Sequence, residues 1–260
     1  MNSYMTAKKT KKSRPKFYSV KLSPEKDSSQ FYPEYNILLK TVDAVSNFNS
    51  LYKKGRSGAK GGPSTHDQQD LYRAMLVFAC AGLDVLVKQL VKTKLPKLII
   101  ADEKAAEKFK DYVKRGLKKD DKEILNTVAL ALIDRNPRDV FLNEYITSMT
   151  GESLQSVQEL CRVSDASALN TRGIFDSTKM NSLKDAFIVR NQIIHEMDIN
   201  VSEGSSKTSG YRTRRQRNSV KVEAHTRAIL DLAQELFSAY KKKFEEFQIE
   251  IDKGSKAKIT

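Results

Sequence analysis

Between residues 34 and 52 apolar side chains return every three or four positions, at Tyr35, Leu38, Val42, Val45 and Tyr52. This period predicts an amphipathic helix, and Pro33 suits its first turn. A Gly-rich connection, 53–65, follows it. Ser64 or Thr65 is the expected cap of a second helix from 67 to about 94, with Pro96 as its stop. Inside it, AMLVFACAGLDVLV (74–87) carries one charge, Asp84, and reads as a helix buried on all sides. Fourteen residues with an internal carboxylate are too short for a bilayer span. Gly82 is the expected point of close approach to a neighbouring helix. Shorter helices are predicted at about 102–117, 121–134, 137–149 and 152–163, with Leu130, Leu132, Val140, Phe141 and Tyr145 as core. A further helix, KDAFIVRNQIIHEMDIN (184–200), takes Asn181 or Ser182 as its cap and Asp185 as the capping-box acid. Phe187, Ile193, Ile194 and Met197 form its apolar arc, with Arg190 in the middle. The last helix runs from 220 to about 251, with Ile229, Ala233, Leu236, Tyr240, Phe244 and Phe247 inward.

Charge sharpens this picture. The chain of 260 residues has a net charge of +14. Seven cations in 1–24 and six in 204–221, with no acid in either stretch, leave 33 basic against 32 acidic residues elsewhere. A nearly neutral body with two basic segments suits a polyanion, nucleic acid first and an anionic membrane second. Residues 1–32 are polar, basic and aperiodic, and are expected to be a disordered tail, with 253–260 a second tail. Two cysteines, Cys80 and Cys161, make no disulfide framework, which fits a cytoplasmic protein. Three scattered histidines offer no metal-ligand spacing, so neither metal nor cofactor is expected. The glycines of 53–65 lack the G-x-x-x-x-G-K-[ST] pattern and a preceding strand, which excludes a phosphate-binding loop of that kind. The N-terminus has no apolar secretory core.

Candidate chemistry gathers on 184–200. Arg190 cannot shed its proton, so its place on an apolar arc calls for an anion or a polar cleft. Asn191, His195 and Asp198 form a polar stripe beside it. Arg190-Asn191-Gln192-Ile193-Ile194-His195 is R-N-x-x-x-H, and it resembles the R-x4–6-H signature of the HEPN superfamily. The early apolar helix with its acid also looks like that of HEPN domains, with Asp84 where many members carry Glu. Lys88, one turn on, and Arg190 are the alternative partners of Asp84.

The resemblance implies an all-α fold, a HEPN-like four-helix up-down bundle from 34–52, 67–94, 182–199 and 220–251. Residues 33–252 would form the domain, with a helical insertion at 97–176 between the second and third core helices and a basic loop at 202–219. It implies a metal-independent endoribonuclease of a defence or toxin system, in which the RNA 2′-OH attacks the adjacent phosphate. His195 would transfer protons, Arg190 would stabilise the phosphorane-like charge, Asn191 would orient His195 or a phosphate, and Asp84 would be a supporting acid. One histidine cannot readily be both acid and base. The resemblance answers with a homodimer that pairs two motifs in a composite site, and it leaves room for an antitoxin or defence-system partner. Some relatives carry a modifiable Tyr where this chain has Met197. Independently of the resemblance, Lys207, Tyr211, Arg212, Arg214, Arg215 and Arg217 interleave charge with a ring, as single-stranded RNA binding requires. His225 reads as a lone structural histidine, and no membrane partner is expected. The alternative reading is a non-catalytic helical module that binds nucleic acid or scaffolds a complex.

Overall fold

The computed structural model describes residues 17–21, 29–57, 64–118, 122–134, 136–195 and 215–257. Among them the chain forms eight α-helices, one turn of 3-10 helix and no strand, so the fold is all-α. The helices are α1 (Tyr32–Arg56), α2 (His66–Ala101), α3 (Glu103–Lys118), α4 (Lys122–Ile133), α5 (Pro137–Thr150), α6 (Val157–Ala166), α7 (Ser177–His195) and α8 (Ser219–Ala257). The centre is α2, and α1, α8 and α7 all pack against it. From the insertion, α3 and α5 reach it as well.

Local chemistry explains the starts. Pro33 sits in the first turn of α1, where its missing N–H costs nothing. Thr65 and Gln68 form a capping box at α2, each side chain bonded to the other's backbone N–H at 3.3 and 3.1 Å. Pro96 does not end α2, as its sequence suggests; the helix runs through it to Ala101. An interior proline costs about 3 kcal/mol. Leu95, Leu98 and Ile99 are buried around it, and each such side chain returns roughly 1.5–3 kcal/mol, so burial outweighs the break. By length and composition α2 could cross a membrane, with a mean hydropathy of 1.8 over its most apolar 18 residues. Half of that window is buried within the protein.

The N-terminal stretch departs from the disordered tail expected for 1–32. Phe17 and Tyr18 are buried, and the Tyr18 hydroxyl donates to Asp231 Oδ1 on α8 at 2.6 Å. The Arg227 guanidinium lies over the Phe17 ring, 4.1 Å from its centre. Phe31 is buried in edge-on contact with Phe237 and Phe244. Three isolated aromatics suffice, since each buries more surface than an aliphatic side chain and none needs a periodic neighbour. Residues 1–16 and 22–28 lie outside the described residues.

Three of the four helices expected in the insertion form nearly as predicted, and the fourth is shorter. Residues 151–156 are not helical, because Ser156 and Glu159 build a capping box that starts α6 at Val157. Tyr145 is core as expected, but Leu130 is 57% exposed. On α5 the inward residues are Leu142, Tyr145 and Met149, and Val140 and Phe141 are half-buried. The Leu132 side chain lies outside what is described.

Candidate functional site

The motif helix α7 begins at Ser177, a turn and a half before the expected cap. Asp176 accepts the Lys179 N–H at 2.9 Å, so Asn181, Ser182 and Asp185 are interior residues and not a capping box. Half-buried Phe175 and Met180 pack against the core there and carry the helix back to Asp176. Leu183, Ala186 and Phe187 are the buried residues of α7. At 100° per residue, Arg190 continues their line, and it is half-buried. Ile193 packs against the core, whereas Ile194 is 38% exposed. The inward arc is thus centred on Arg190 itself. Met197 and Asp198 lie outside the described residues.

Arg190 Nη1 donates to Asn191 Oδ1 at 2.8 Å, while its Nε is buried and lacks a hydrogen-bond partner. Its charge is felt by Cys80 of α2: burial pushes that thiol up to about 12, and Arg190 pulls the other way. Asn191 Nδ2 reaches the Gln155 carbonyl at 3.4 Å. His195 is exposed in the last described turn of α7. Five residues of helix turn through about 140°, so Arg190 faces α2 while His195 faces solvent.

Asp84 does not pair with Arg190. Its Oδ2 meets Lys88 Nζ at 2.9 Å, and its Oδ1 accepts the Leu154 N–H at 2.8 Å. The i, i+4 lysine is the nearer cation, and the non-helical turn before α6 supplies the second donor. Asp84 therefore ties the insertion to α2, one residue from the Gln155 carbonyl that Asn191 touches. Nothing in the chain near Gly151 announces this tie beforehand.

Of the RNA-binding candidates, Lys207, Tyr211, Arg212 and Arg214 lie outside the described residues. Arg215 and Arg217 are described and held in place. Arg217 Nη2 donates to Gln192 Oε1 on α7 at 2.7 Å, and the Arg215 carbonyl accepts from Arg73 Nη2 at 2.6 Å. His225 stands half-buried on α8, with its Nδ1 unpartnered. Burial lowers its pKa, Asp185 on α7 opposes the shift, and Lys221 and Arg217 add to it. Among the described residues no three His, Cys, Asp or Glu side chains converge to hold a metal ion.

A cleft of about 660 Å³ opens in the insertion, lined by Tyr112, Asn126, Glu144, Glu152 and Arg162 among others. It contains none of the motif residues; Gly151 to Leu154, part of its lining, border the Asp84 tie. No family model matches the chain, and no curated protein or solved structure is significantly similar to it.

Proposed function

We propose that this protein is a metal-independent endoribonuclease of HEPN type, acting on RNA through attack by the substrate's own 2′-OH. The observation that carries the reading is Arg190: a permanent cation on the inward arc of α7, with a buried, unpartnered Nε and its Nη1 steadied by Asn191. A buried donor left unmade costs roughly 1–3 kcal/mol, and a phosphate oxygen would satisfy it. Arg190 would hold the scissile phosphate and offset the charge that grows on it. His195, exposed where RNA can reach it, would move the proton between the 2′-OH and the leaving oxygen.

Arg190 and His195 diverge by about 140° around one helix, which favours a composite site built by two copies. A face suited to such pairing runs along α1 and α2. Phe78 and Val85 are about half exposed, as is Leu51, and the Phe48 and Phe78 rings meet at a tilt with centres 5.0 Å apart. Ala81, between Phe78 and Val85 on α2, is exposed as well. We read this as the contact between two copies of a four-helix HEPN-like domain, with α1, α2, α7 and α8 as its helices. The resemblance sets such an activity in a defence or toxin system of the cytoplasm, with an antitoxin or another component of the system as its restraint.

The second reading, a non-catalytic nucleic-acid-binding module, is favoured by Asp84, which is fully engaged away from the motif. One experiment separates the two. Wild type, His195→Ala and Arg190→Ala are incubated with single-stranded RNA in EDTA, and the ends are typed. The nuclease reading expects 2′,3′-cyclic phosphate and 5′-OH ends from wild type, and a loss of about 10²-fold or more in either variant, with melting largely unchanged. Full activity in His195→Ala overturns the site. RNA bound by wild type but left intact points to the module.

A further inference from the structure

Residues 215–217 carry two of the basic side chains, yet their backbone is gripped by a different helix. Three side chains from the N-terminal part of α2 do it. Tyr72 donates its hydroxyl to the Arg217 carbonyl, and Arg73 donates from Nη2 to the Arg215 carbonyl at 2.6 Å. Gln69 Oε1 accepts the Arg217 N–H at 3.4 Å. Arg73 is itself fixed, by Asp70 Oδ1 at 3.0 Å and Gln69 Oε1 at 3.3 Å. Tyr72 is fully buried, and Gln69 and Arg73 are each 5% exposed. From this anchor the Arg217 guanidinium reaches across to Gln192, three residues before His195.

A guanidinium and an amide on a packed face are costly, and packing alone would be served as well by leucines. What the polar trio adds is register, since each group meets one particular backbone atom of 215–217. We infer that Tyr72 and Arg73 are positioning residues for RNA. They hold the Arg215–Arg217 backbone beside α7, so that basic side chains meet the phosphates of a strand whose scissile group lies at Arg190. This rests on the nuclease reading above. It differs from a purely structural role in one measurable respect: loosening the grip should cost substrate affinity and not the chemical step.

The test is a matched pair of variants in the full chain. Tyr72→Phe deletes only the hydroxyl that holds the Arg217 carbonyl. Tyr240→Phe deletes a buried hydroxyl elsewhere, the one 2.6 Å from Ser167 Oγ. Both should lower Tm by similar small amounts. A net hydrogen bond corresponds to about a three- to tenfold change in an equilibrium constant. Tyr72→Phe should therefore raise both the KM for single-stranded RNA and the Kd from fluorescence anisotropy by about that factor, with kcat kept. Tyr240→Phe should leave KM and Kd at the wild-type values. Unchanged KM and Kd in Tyr72→Phe, or an equal rise in both variants, overturns the positioning role. If wild type binds RNA without cutting it, the nuclease reading falls while the positioning role is judged on Kd alone. If wild type neither binds nor cuts, both fall.

Discussion

Placing a single methyl group at Gly82 measures how closely α1 and α2 approach. A Cβ there would stand 2.2 Å from both Thr41 Cγ2 and Oγ1, and 2.7 Å from Thr41 Cβ. Turning the Thr41 side chain can clear only one of the two γ positions, and the third contact stays in every rotamer, because Cβ moves only with the α1 backbone. Carbon atoms rest at about 3.5–4.0 Å, so α1 must retreat by on the order of 1 Å. It must do so along a row that includes Leu38, Val42 and Val45, all buried. Overpacking of this kind costs about 1–3 kcal/mol, and the rigid contact puts Gly82→Ala at the upper end. Ala is the better helix former by about 1 kcal/mol, leaving a net loss of roughly 2 kcal/mol. For a chain of this size that is a fall in Tm of roughly 4–8 °C, readable by calorimetry or circular dichroism. The swap Thr41→Gly with Gly82→Ala returns the space to the other helix and should recover to within about 1 kcal/mol of wild type, the mark of a coupled pair. A Gly82→Ala protein that melts at or above the wild-type temperature would refute the close approach.

Three further outcomes are expected. Lys94 and Glu34 form an ion pair at 3.3 Å with both side chains almost wholly buried, and burial holds the Lys94 pKa below its usual value. Lys94→Met strands the Glu34 charge and should cost about 3–5 kcal/mol, while Glu34→Leu with Lys94→Met should regain most of it; equal melting of the single and double variants would count against this. The pKa of His225 is depressed below the ordinary 6.5. The unfolded chain therefore takes up this proton first, and the stability is whole above about pH 6.5 and is lost as pH falls through that value toward the folded one. Tm should decline less between about pH 7 and 5 in His225→Gln than in wild type, and identical slopes would remove His225 as a cause. Val85, 51% exposed on the α1–α2 face, is the probe for pairing. Val85→Lys should turn a wild-type dimer into a monomer by light scattering and remove cleavage with it, and a monomeric wild type that is fully active would sink the composite site.

Much of the helical frame can be read from the chain, because periodicity and caps are local. Tyr35, Leu38, Val42, Val45 and Tyr52 are all buried as their spacing requires, and so are Ile229, Ala233, Leu236 and Tyr240. Gly82 does meet a neighbouring helix. What escapes a local reading is everything whose partner is distant. Pro96 looks like a stop because its cost is local, whereas the burial that overrides it comes from other helices. Gln69 and Arg73 look like the solvated face of α2, since their backbone partners on Arg217 and Arg215 lie more than 140 residues away. Phe17 and Tyr18 stand in a basic stretch and are held by residues more than 200 positions on.

The motif shows the same division at the scale of one helix. That Arg190 belongs to the inward face follows from its spacing to Phe187 and Ile193, and its half-buried position agrees. The spacing of five to His195 also carries a geometric consequence that the letters R-N-x-x-x-H do not display, a turn of about 140° between the two side chains. On the nuclease reading, a phosphate held at Arg190 would therefore lie on a different side of α7 from the imidazole of the same copy. Asn191 stands between them in azimuth, bound to Arg190 on one side and to the Gln155 carbonyl on the other, and steadies only the first. On that reading, convergence of the charge-bearing and proton-bearing groups would have to come from outside the helix: from a second copy across the apolar α1–α2 face, or from the RNA itself spanning α7 between them. The first requires that cleavage fall with the square of enzyme concentration once the dimer dissociates; the second requires that it stay linear.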